Sequence, residues 1–130
     1  MGEATRTFAH GTSLESIDDI LSIGLNEAAA RAASKGGRAS SPGSFFTLEV
    51  PPQIHLQAAF EFGLRHSDRP AVLLTTMSET VFQRLLWDVS IRVQSVPGAD
   101  DLTETIFDPA SFPLVNAYAT RQIMDPFGWR

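Results

Sequence analysis

The sequence contains no cysteine. A chain without cysteine has no disulfide framework, no thiolate zinc site and no cysteine nucleophile, so several classes of small protein and of enzyme are excluded at once. Its 130 residues are still enough to bury one apolar core without covalent or metal staples. We therefore expect residues 1–130 to form a single domain.

Lysine is nearly absent as well. Lys35 is the only one, and the formal net charge is -5. General binders of nucleic-acid backbones concentrate Lys and Arg on one face, and the sequence has no such cluster, so only a narrow nucleic-acid target stays open. Most of the positive charge belongs to scattered arginines, which suit bidentate contacts to phosphate or carboxylate.

Long apolar runs are missing too. No stretch approaches the roughly 18 apolar residues that span a bilayer, and residues 1–6 lack a basic segment leading into an apolar one. We expect a cytoplasmic protein that has no membrane partner. We also expect no metal, because the three histidines are widely separated in the sequence.

Strand and helix patterns are interspersed along the chain. The predicted strands are Thr5–Ala9, Ser44–Glu49, Ala71–Met77, Val89–Val96, Leu102–Phe107 and Arg121–Met124. The predicted helices are 12–24, 28–33, 53–66, one that starts at Ser78, and 109–118, and a loop is predicted over 35–43. No dinucleotide-binding glycine fingerprint or P-loop follows any strand, so an α+β domain is favoured over a Rossmann or P-loop fold.

The first helix has the sharpest predicted ends. Thr12 and Glu15 form a capping-box pattern, and Gly24 followed by Leu25 is a helix stop signal. His10 and Gly11 lie just before this helix, where we expect the first strand to end. A histidine at the end of a strand, next to a glycine that permits close approach, is suited to binding a polar ligand, although a lone histidine often only caps a turn.

A second segment of interest is Ser44–Thr47. Strand alternation sends Phe45 and Phe46 to opposite faces, so one ring is expected in the core and the other is free to line a pocket. An aromatic face can stack on a flat heterocycle such as nicotinamide, and the hydroxyls of Ser44 and Thr47 can bond a ligand. Packing of both rings inside the protein is the alternative.

The third segment begins at Glu104, which opens a predicted apolar strand where a glutamate can also be merely solvated. Together the three segments resemble the three motifs of ADP-ribosyltransferases. The matching residues are His10-Gly11-Thr12 with the helix to Gly24-Leu25, Gly43-Ser44-Phe45-Phe46-Thr47, and Glu104-Thr105-Ile106-Phe107. Glu104 to Phe112, with Leu114 and Asn116, is also similar to the closing segment of small bacterial transferase-like proteins.

The resemblance implies an α+β fold with a split, bent β-sheet, helices packed around it, and NAD+ bound between the two sheet halves. It implies that His10 bonds a ribose, that the main chain at Gly11, beside Thr12, pairs with the nicotinamide carboxamide, and that Phe45 or Phe46 stacks on the nicotinamide. Glu104 would be the catalytic residue, since a carboxylate stabilises the cationic ribose that forms as nicotinamide leaves. Arg38 is our first candidate for the pyrophosphate, ahead of Arg31 and Arg6.

The sequence differs from the family's motifs in two places, and each difference limits which activity the resemblance implies. Transferases that modify arginine or asparagine carry Glu or Gln two residues before the catalytic glutamate, where this chain has Leu102, so those targets are in doubt. The RNA 2′-phosphotransferases of the same fold share the His-Gly-Thr start but need a second histidine. Neither His55 nor His66 falls at that position, and we expect both on the polar face of the third helix.

The leading hypothesis is therefore an NAD+-dependent ADP-ribosyltransferase, toxin-like, acting on a protein or nucleic-acid acceptor and paired with an antitoxin or immunity partner. An NAD+ glycohydrolase differs only in using water as acceptor. A non-catalytic module of the same fold would act by binding a partner. In the last alternative the domain is an unrelated α+β fold in which His10 and Glu104 lie far apart.

Overall fold

The structure is a computed structural model that describes residues 3–29, 43–65 and 67–124. The strands are β1 (Thr5–Ser13), β2 (Phe45–Val50), β3 (Pro70–Ser78), β4 (Ile91–Val96), β5 (Ala99–Phe107) and β6 (Thr120–Met124). The helices are α1 (Leu14–Ile23), α2 (Gln53–Leu64), α3 (Glu79–Trp87) and α4 (Phe112–Tyr118), with a 3-10 turn at Pro109–Ser111. The predicted α+β class is confirmed.

The strands form one sheet in the order β4-β5-β2-β1-β3-β6, and all the observed pairings are antiparallel. β2 is divided between two neighbours. Its residues 45–47 pair with β5, from Phe45 opposite Phe107 to Thr47 opposite Thr105. Its residues 48–50 pair with β1, and that pairing stops at Ala9 opposite Leu48. The sheet therefore has two halves that share β2.

Helices cover both faces of the sheet. On one face, α1, α3 and α4 pack against Phe8, Leu73 and Phe107, which belong to the larger apolar cluster. On the other face, α2 packs against Ala9, Leu48 and Val72 in a smaller cluster. β3 lies between β1 and β6, and its residues 70–73 are buried, in agreement with the apolar pattern predicted for this strand.

α2 lies unusually close to β1. A Cβ placed on Gly11 would be 1.5 Å from the carbonyl oxygen of Ala59, and one placed on Gly63 would be 2.9 Å from the carbonyl oxygen of Thr12. No real Cβ contact is that short, so the two backbones approach each other only because both positions are glycine. Gly11 therefore has a packing role that is independent of any ligand.

The predicted end of the first strand is wrong. β1 continues through His10, Gly11 and Thr12 to Ser13, because β3 offers ladder partners along its whole length, including Ala71 opposite Thr12. The predicted Thr12 cap is also wrong. Ser13 is the N-cap of α1, and its Oγ accepts a hydrogen bond from the Ser16 amide at 3.1 Å.

The hairpin of β4 and β5 also differs from the prediction. Val89 has a φ of 55°, in the left-handed region that an extended strand cannot include, so β4 begins at Ile91. A tight turn at Pro97–Gly98, with Gly98 at φ 81°, lets β5 start at Ala99 rather than Leu102. Glu104 therefore lies in the middle of β5 and not at its start.

The remaining predictions concern the segments around β2. Residues 27–29 are helical, and the Ala29 amide donates to Oδ1 of Asn26 at 3.1 Å, as a helix cap at Asn26 predicts. The rest of the predicted 28–33 helix and most of the 35–43 loop lie outside the described residues. α2 ends at Leu64, whereas the prediction ran to His66. Within the described ranges, no helix is long and apolar enough to cross a membrane.

Replacement of Gly11 by Ala should destabilise the fold by about 3 kcal/mol, because the new methyl group meets backbone atoms of α2 that cannot rotate away. Chemical denaturation measures this change. Gly98→Asn is the control, since no atom lies within 4 Å of its Cβ position and Asn accepts a positive φ. Equal effects of the two substitutions would contradict the close packing of α2 on β1.

Two buried threonines on the sheet make a matched pair. The Oγ1 of Thr75 is buried and, within the described part of the chain, has no hydrogen-bond partner. Thr47 Oγ1 donates to the Thr105 carbonyl at 2.8 Å. Thr75→Val should therefore stabilise the protein by about 1 kcal/mol, and Thr47→Val should destabilise it by about 1 kcal/mol. Thermal unfolding distinguishes the two, and shifts of the same sign would refute the assignment.

Candidate functional site at the division of the sheet

The point where β1 and β2 part is the candidate site. Their pairing ends at Ala9 and Leu48, after which residues 45–47 of β2 turn to β5 while residues 10–13 of β1 stay with β3. We call the space between residues 10–13 and residues 45–47 the seam. The seam is where the two predicted motifs around His10 and Phe45 meet.

His10 bridges the seam. Its Nδ1 lies 2.7 Å from the carbonyl oxygen of Phe46, and its ring centroid lies 4.2 Å from that of Phe45, with a tilt of 35°. A carbonyl oxygen only accepts, so Nδ1 carries the hydrogen and, in the neutral ring, Nε2 is an acceptor. Burial lowers the pKa of His10, and the hydrogen bond to Phe46 only partly opposes this. His10 is thus a neutral acceptor at physiological pH.

The two phenylalanines of β2 have different environments. Phe45 is buried and packs in the larger cluster beside Phe107, at a centroid distance of 6.4 Å. Phe46 points to the opposite face and is only partly buried. The sequence left open which ring is in the core, and the structure assigns the core position to Phe45.

The hydroxyl groups of Ser44, just before β2, and of Thr47, on β2, bond within the protein. Ser44 Oγ donates to Oδ1 of Asp108 at 2.9 Å, and the same oxygen accepts from Arg92 at 3.1 Å. Thr47 Oγ1 donates to the Thr105 carbonyl. Both residues are buried, and their hydrogen bonds fix β2 in position. Because each hydroxyl already donates its hydrogen, it can only accept a hydrogen bond from a ligand.

Glu104 is a buried carboxylate. Only 3% of the residue is exposed, so the alternative of a merely solvated glutamate is wrong. It lies directly opposite Gln94 in the β4–β5 ladder, and Gln94 Nε2 donates to its Oε1 at 2.9 Å. The hairpin turn at Pro97–Gly98 creates this pairing, which explains why sequence analysis did not identify Gln94.

Strand alternation sets the direction of each side chain. His10 leaves β1 on the face of Phe8 and Phe45, in the larger cluster. Glu104 is an odd number of residues from Phe107, which packs in that cluster, and an even number from Leu102, which packs against the smaller one. His10 and Glu104 therefore leave the sheet on opposite faces. This is the arrangement that the alternative of an unrelated α+β fold predicts, and β2 lies between the two strands.

The remaining predicted residues are distributed as follows. Gly11 and Thr12 line the β1 side of the seam, with α2 packed against Gly11. Arg6 is engaged, since its guanidinium bonds Glu79 at 2.7 Å and lies 3.4 Å from Glu49. Arg38 and Arg31, the other candidates for the pyrophosphate, lie outside the described residues.

His55 corrects a further prediction. It is buried instead of lying on the polar face of its helix, and its Nδ1 is 2.8 Å from the Glu49 carbonyl oxygen. The carbonyls of Phe46 and Glu49 on β2 thus each accept from a histidine, one from β1 and one from α2. His66 lies outside the described residues.

An open groove lies away from the seam, between α2 and the β3–β6 side of the sheet. Its volume is about 740 Å³, and its apolar lining includes Ile54, Phe60, Val72 and Met124. None of the seam residues is among the residues that line it. Across residues 3–29, 43–65 and 67–124, no group of three or more His, Asp or Glu residues is arranged to hold a metal ion.

Comparisons of the chain with protein-family models, with curated proteins and with solved structures find no match. The functional assignment therefore depends on the seam and on the chemistry of its residues.

Protonation of His10 should destabilise the fold. Because its pKa is lowered in the native state, the unfolded chain binds the proton first as pH falls through about 6.5. The neutral ring therefore makes its full contribution to the free energy of unfolding above that pH. The contribution decreases as the pH falls, until His10 is protonated in the native state as well. His10→Gln cannot titrate, yet its amide can still donate to the Phe46 carbonyl. Urea unfolding between about pH 7 and 5 should show a steeper loss in wild type; parallel curves would contradict the lowered pKa.

Proposed function

We propose that this domain binds NAD+ at the seam, cleaves the bond between nicotinamide and ribose, and transfers ADP-ribose to a macromolecular acceptor, as ADP-ribosyltransferases do. The observation that carries the proposal is the placement of His10. It lies where the two sheet halves part, and its hydrogen bond to Phe46 holds it as a neutral acceptor.

The seam offers the groups that a nicotinamide riboside needs. His10 Nε2 accepts a hydrogen bond from a ribose hydroxyl. Phe46, the less buried of the two rings, is the aromatic surface for nicotinamide, and the adjacent main chain of Gly11 is the partner for its carboxamide. Glu104 lies on β5, across β2 from His10 and on the other face of the sheet, so the proposal requires the ribose to reach past β2 where its pairing with β1 ends.

The reaction needs one carboxylate and no general acid. When the glycosidic C–N bond breaks, its electron pair stays on the nicotinamide nitrogen, which was cationic and leaves neutral. Positive charge then develops on the ribose, and a carboxylate close to it stabilises the transition state. Glu104 is the residue proposed for this role, since its oxygen is held inside the protein by a neutral amide.

The acceptor in the proposal is a protein or a nucleic acid, and water would make the enzyme a glycohydrolase. Leu102, two residues before Glu104, packs against the smaller apolar cluster. It supplies no polar group to orient a guanidinium or amide acceptor, which argues against arginine and asparagine as targets. If the enzyme acts as a toxin, an antitoxin or immunity partner would be required to restrain it.

One observation favours a second candidate, a module that binds a partner without catalysis. On β5, the two neighbours of Glu104, Thr103 and Thr105, share the face of His10, and Glu104 does not. A ligand held on that face alone would be out of reach of the carboxylate. This candidate predicts either no affinity for NAD+ or binding without turnover.

Titration calorimetry with NAD+ and a nicotinamide-release assay test the two candidates. We expect wild type to bind, His10→Ala to lose binding because the ribose acceptor is removed, and Glu104→Gln to bind but turn over about 10²–10³ times more slowly. His55→Ala is the matched control, because this histidine also donates to a β2 carbonyl but lies outside the seam. Glu61→Gln, on the exposed face of α2, is the control for the carboxylate.

The outcomes separate the candidates. If wild type binds NAD+ but releases no nicotinamide, the result would exclude the enzyme and support the non-catalytic binding module. No wild-type binding at millimolar NAD+ would contradict the NAD+ proposal altogether. Equal losses in His10→Ala and His55→Ala would show that the effect comes from β2 and not from the seam.

A further inference from the structure

Gln94 is the residue outside the predicted motifs that touches the proposed catalytic group. It lies on β4, the edge strand of the sheet, and is exposed, whereas Glu104 opposite it is buried. Directly opposed side chains on neighbouring strands are close enough to interact, and here the amide nitrogen and the carboxylate oxygen are 2.9 Å apart. An exposed residue thus reaches inward to bond a buried charge.

The backbone next to Gln94 is irregular. The register between β4 and β5 shifts between Ser95 and Val96, one residue pair beyond Gln94–Glu104. Such irregularities bend the strand and re-aim neighbouring side chains, and they are over-represented at sheet edges and also next to active sites. The last regular pair before the shift is Ser95 opposite Thr103, and the Gln94–Glu104 pair is next to it.

The chemistry of the donor also matters. A carboxylate that stabilises a developing cation has to keep its negative charge, and a cationic partner at 2.9 Å would neutralise much of it. A primary amide fixes the orientation of the oxygen without adding a charge. Gln94 therefore orients Glu104 at little electrostatic cost to the reaction.

We propose that Gln94 is a positioning residue that orients the Glu104 carboxylate for the cleavage of NAD+. This inference rests on the proposed function, because it assigns a role to a partner of the proposed catalytic residue. It goes beyond that function by adding a residue on β4, a strand that contributes nothing to the three motifs.

Two substitutions distinguish positioning from packing. Gln94→Leu removes the donor, and Gln94→Glu keeps the length and shape of the side chain but places a second carboxylate against the first. If Gln94 only packs, the isosteric Gln94→Glu is the milder change. If it positions Glu104, Gln94→Glu is the more damaging one, because repulsion between like charges turns the catalytic carboxylate away.

The first readout is the kinetics of nicotinamide release. We expect kcat to fall about tenfold in Gln94→Leu and further in Gln94→Glu, with KM for NAD+ nearly unchanged, since the lost interaction acts on the transition state. Val93→Ala is the matched control, because Val93 is the exposed neighbour on the same strand and points to the other face. The reverse ranking of the two variants, or an equal loss in Val93→Ala, would overturn the inference.

The second readout needs no turnover. In protein with ¹³C-labelled glutamate, the carboxyl resonance of Glu104 is assigned by its loss in Glu104→Gln. We expect it to shift in both Gln94 variants and to stay in place in Val93→Ala. If wild type releases no nicotinamide, the proposed function fails and this resonance alone decides whether Gln94 holds the carboxylate. An unchanged resonance in both variants would refute the role of Gln94.

Discussion

The division of β2 between two neighbours is the constraint on which the rest of the structure depends. Residues 45–47 take their ladder partners from β5 and residues 48–50 take theirs from β1. One six-residue strand thereby holds both halves of the sheet, and the strands beside it must separate where the pairing changes. Buried main-chain groups need partners, so a separation of this kind leaves carbonyls to be satisfied by side chains.

Histidine side chains meet that need. His10 donates to the Phe46 carbonyl from β1, and His55 donates to the Glu49 carbonyl from α2. The hydrogen bond of His10 also fixes its tautomer, which turns Nε2 into an acceptor. The same contact therefore satisfies the Phe46 carbonyl and fixes the ring in the tautomer that the proposed function uses. This hydrogen bond serves both the structure and the proposed function. His10→Gln keeps an amide donor and tests the titration of the ring, whereas His10→Ala removes the side chain and tests the binding of NAD+.

Neutral partners recur at the buried polar groups of this sheet. The Glu104 carboxylate accepts from an amide, Thr47 donates to a carbonyl, and His10 is held uncharged. Hydrogen bonds of this kind satisfy a buried group without the desolvation of a second charge. Charged pairs such as Arg6 with Glu79 occupy only partly buried positions. The ion pair of Arg6 with Glu79 therefore lies nearer the surface than the hydrogen bonds of His10, Thr47 and Glu104 named above.

The amino-acid pattern by itself determined the fold class and the order of the elements. Apolar periodicity, capping residues and Gly-Pro turns act over a few residues, so the helices from α1 to α4 and all six strands were predictable from local sequence. Strand ends depended on partners far along the chain, as the extension of β1 through His10 and Gly11 along β3 shows. Local sequence also predicted Val89 in a strand, where the structure has a left-handed turn.

Only the tertiary structure decided that Glu104 is buried against Gln94, that Phe45 rather than Phe46 is in the core, and that His10 and Glu104 leave opposite faces. Each of these depends on register, because a shift of one residue between neighbouring strands exchanges the two faces of the sheet.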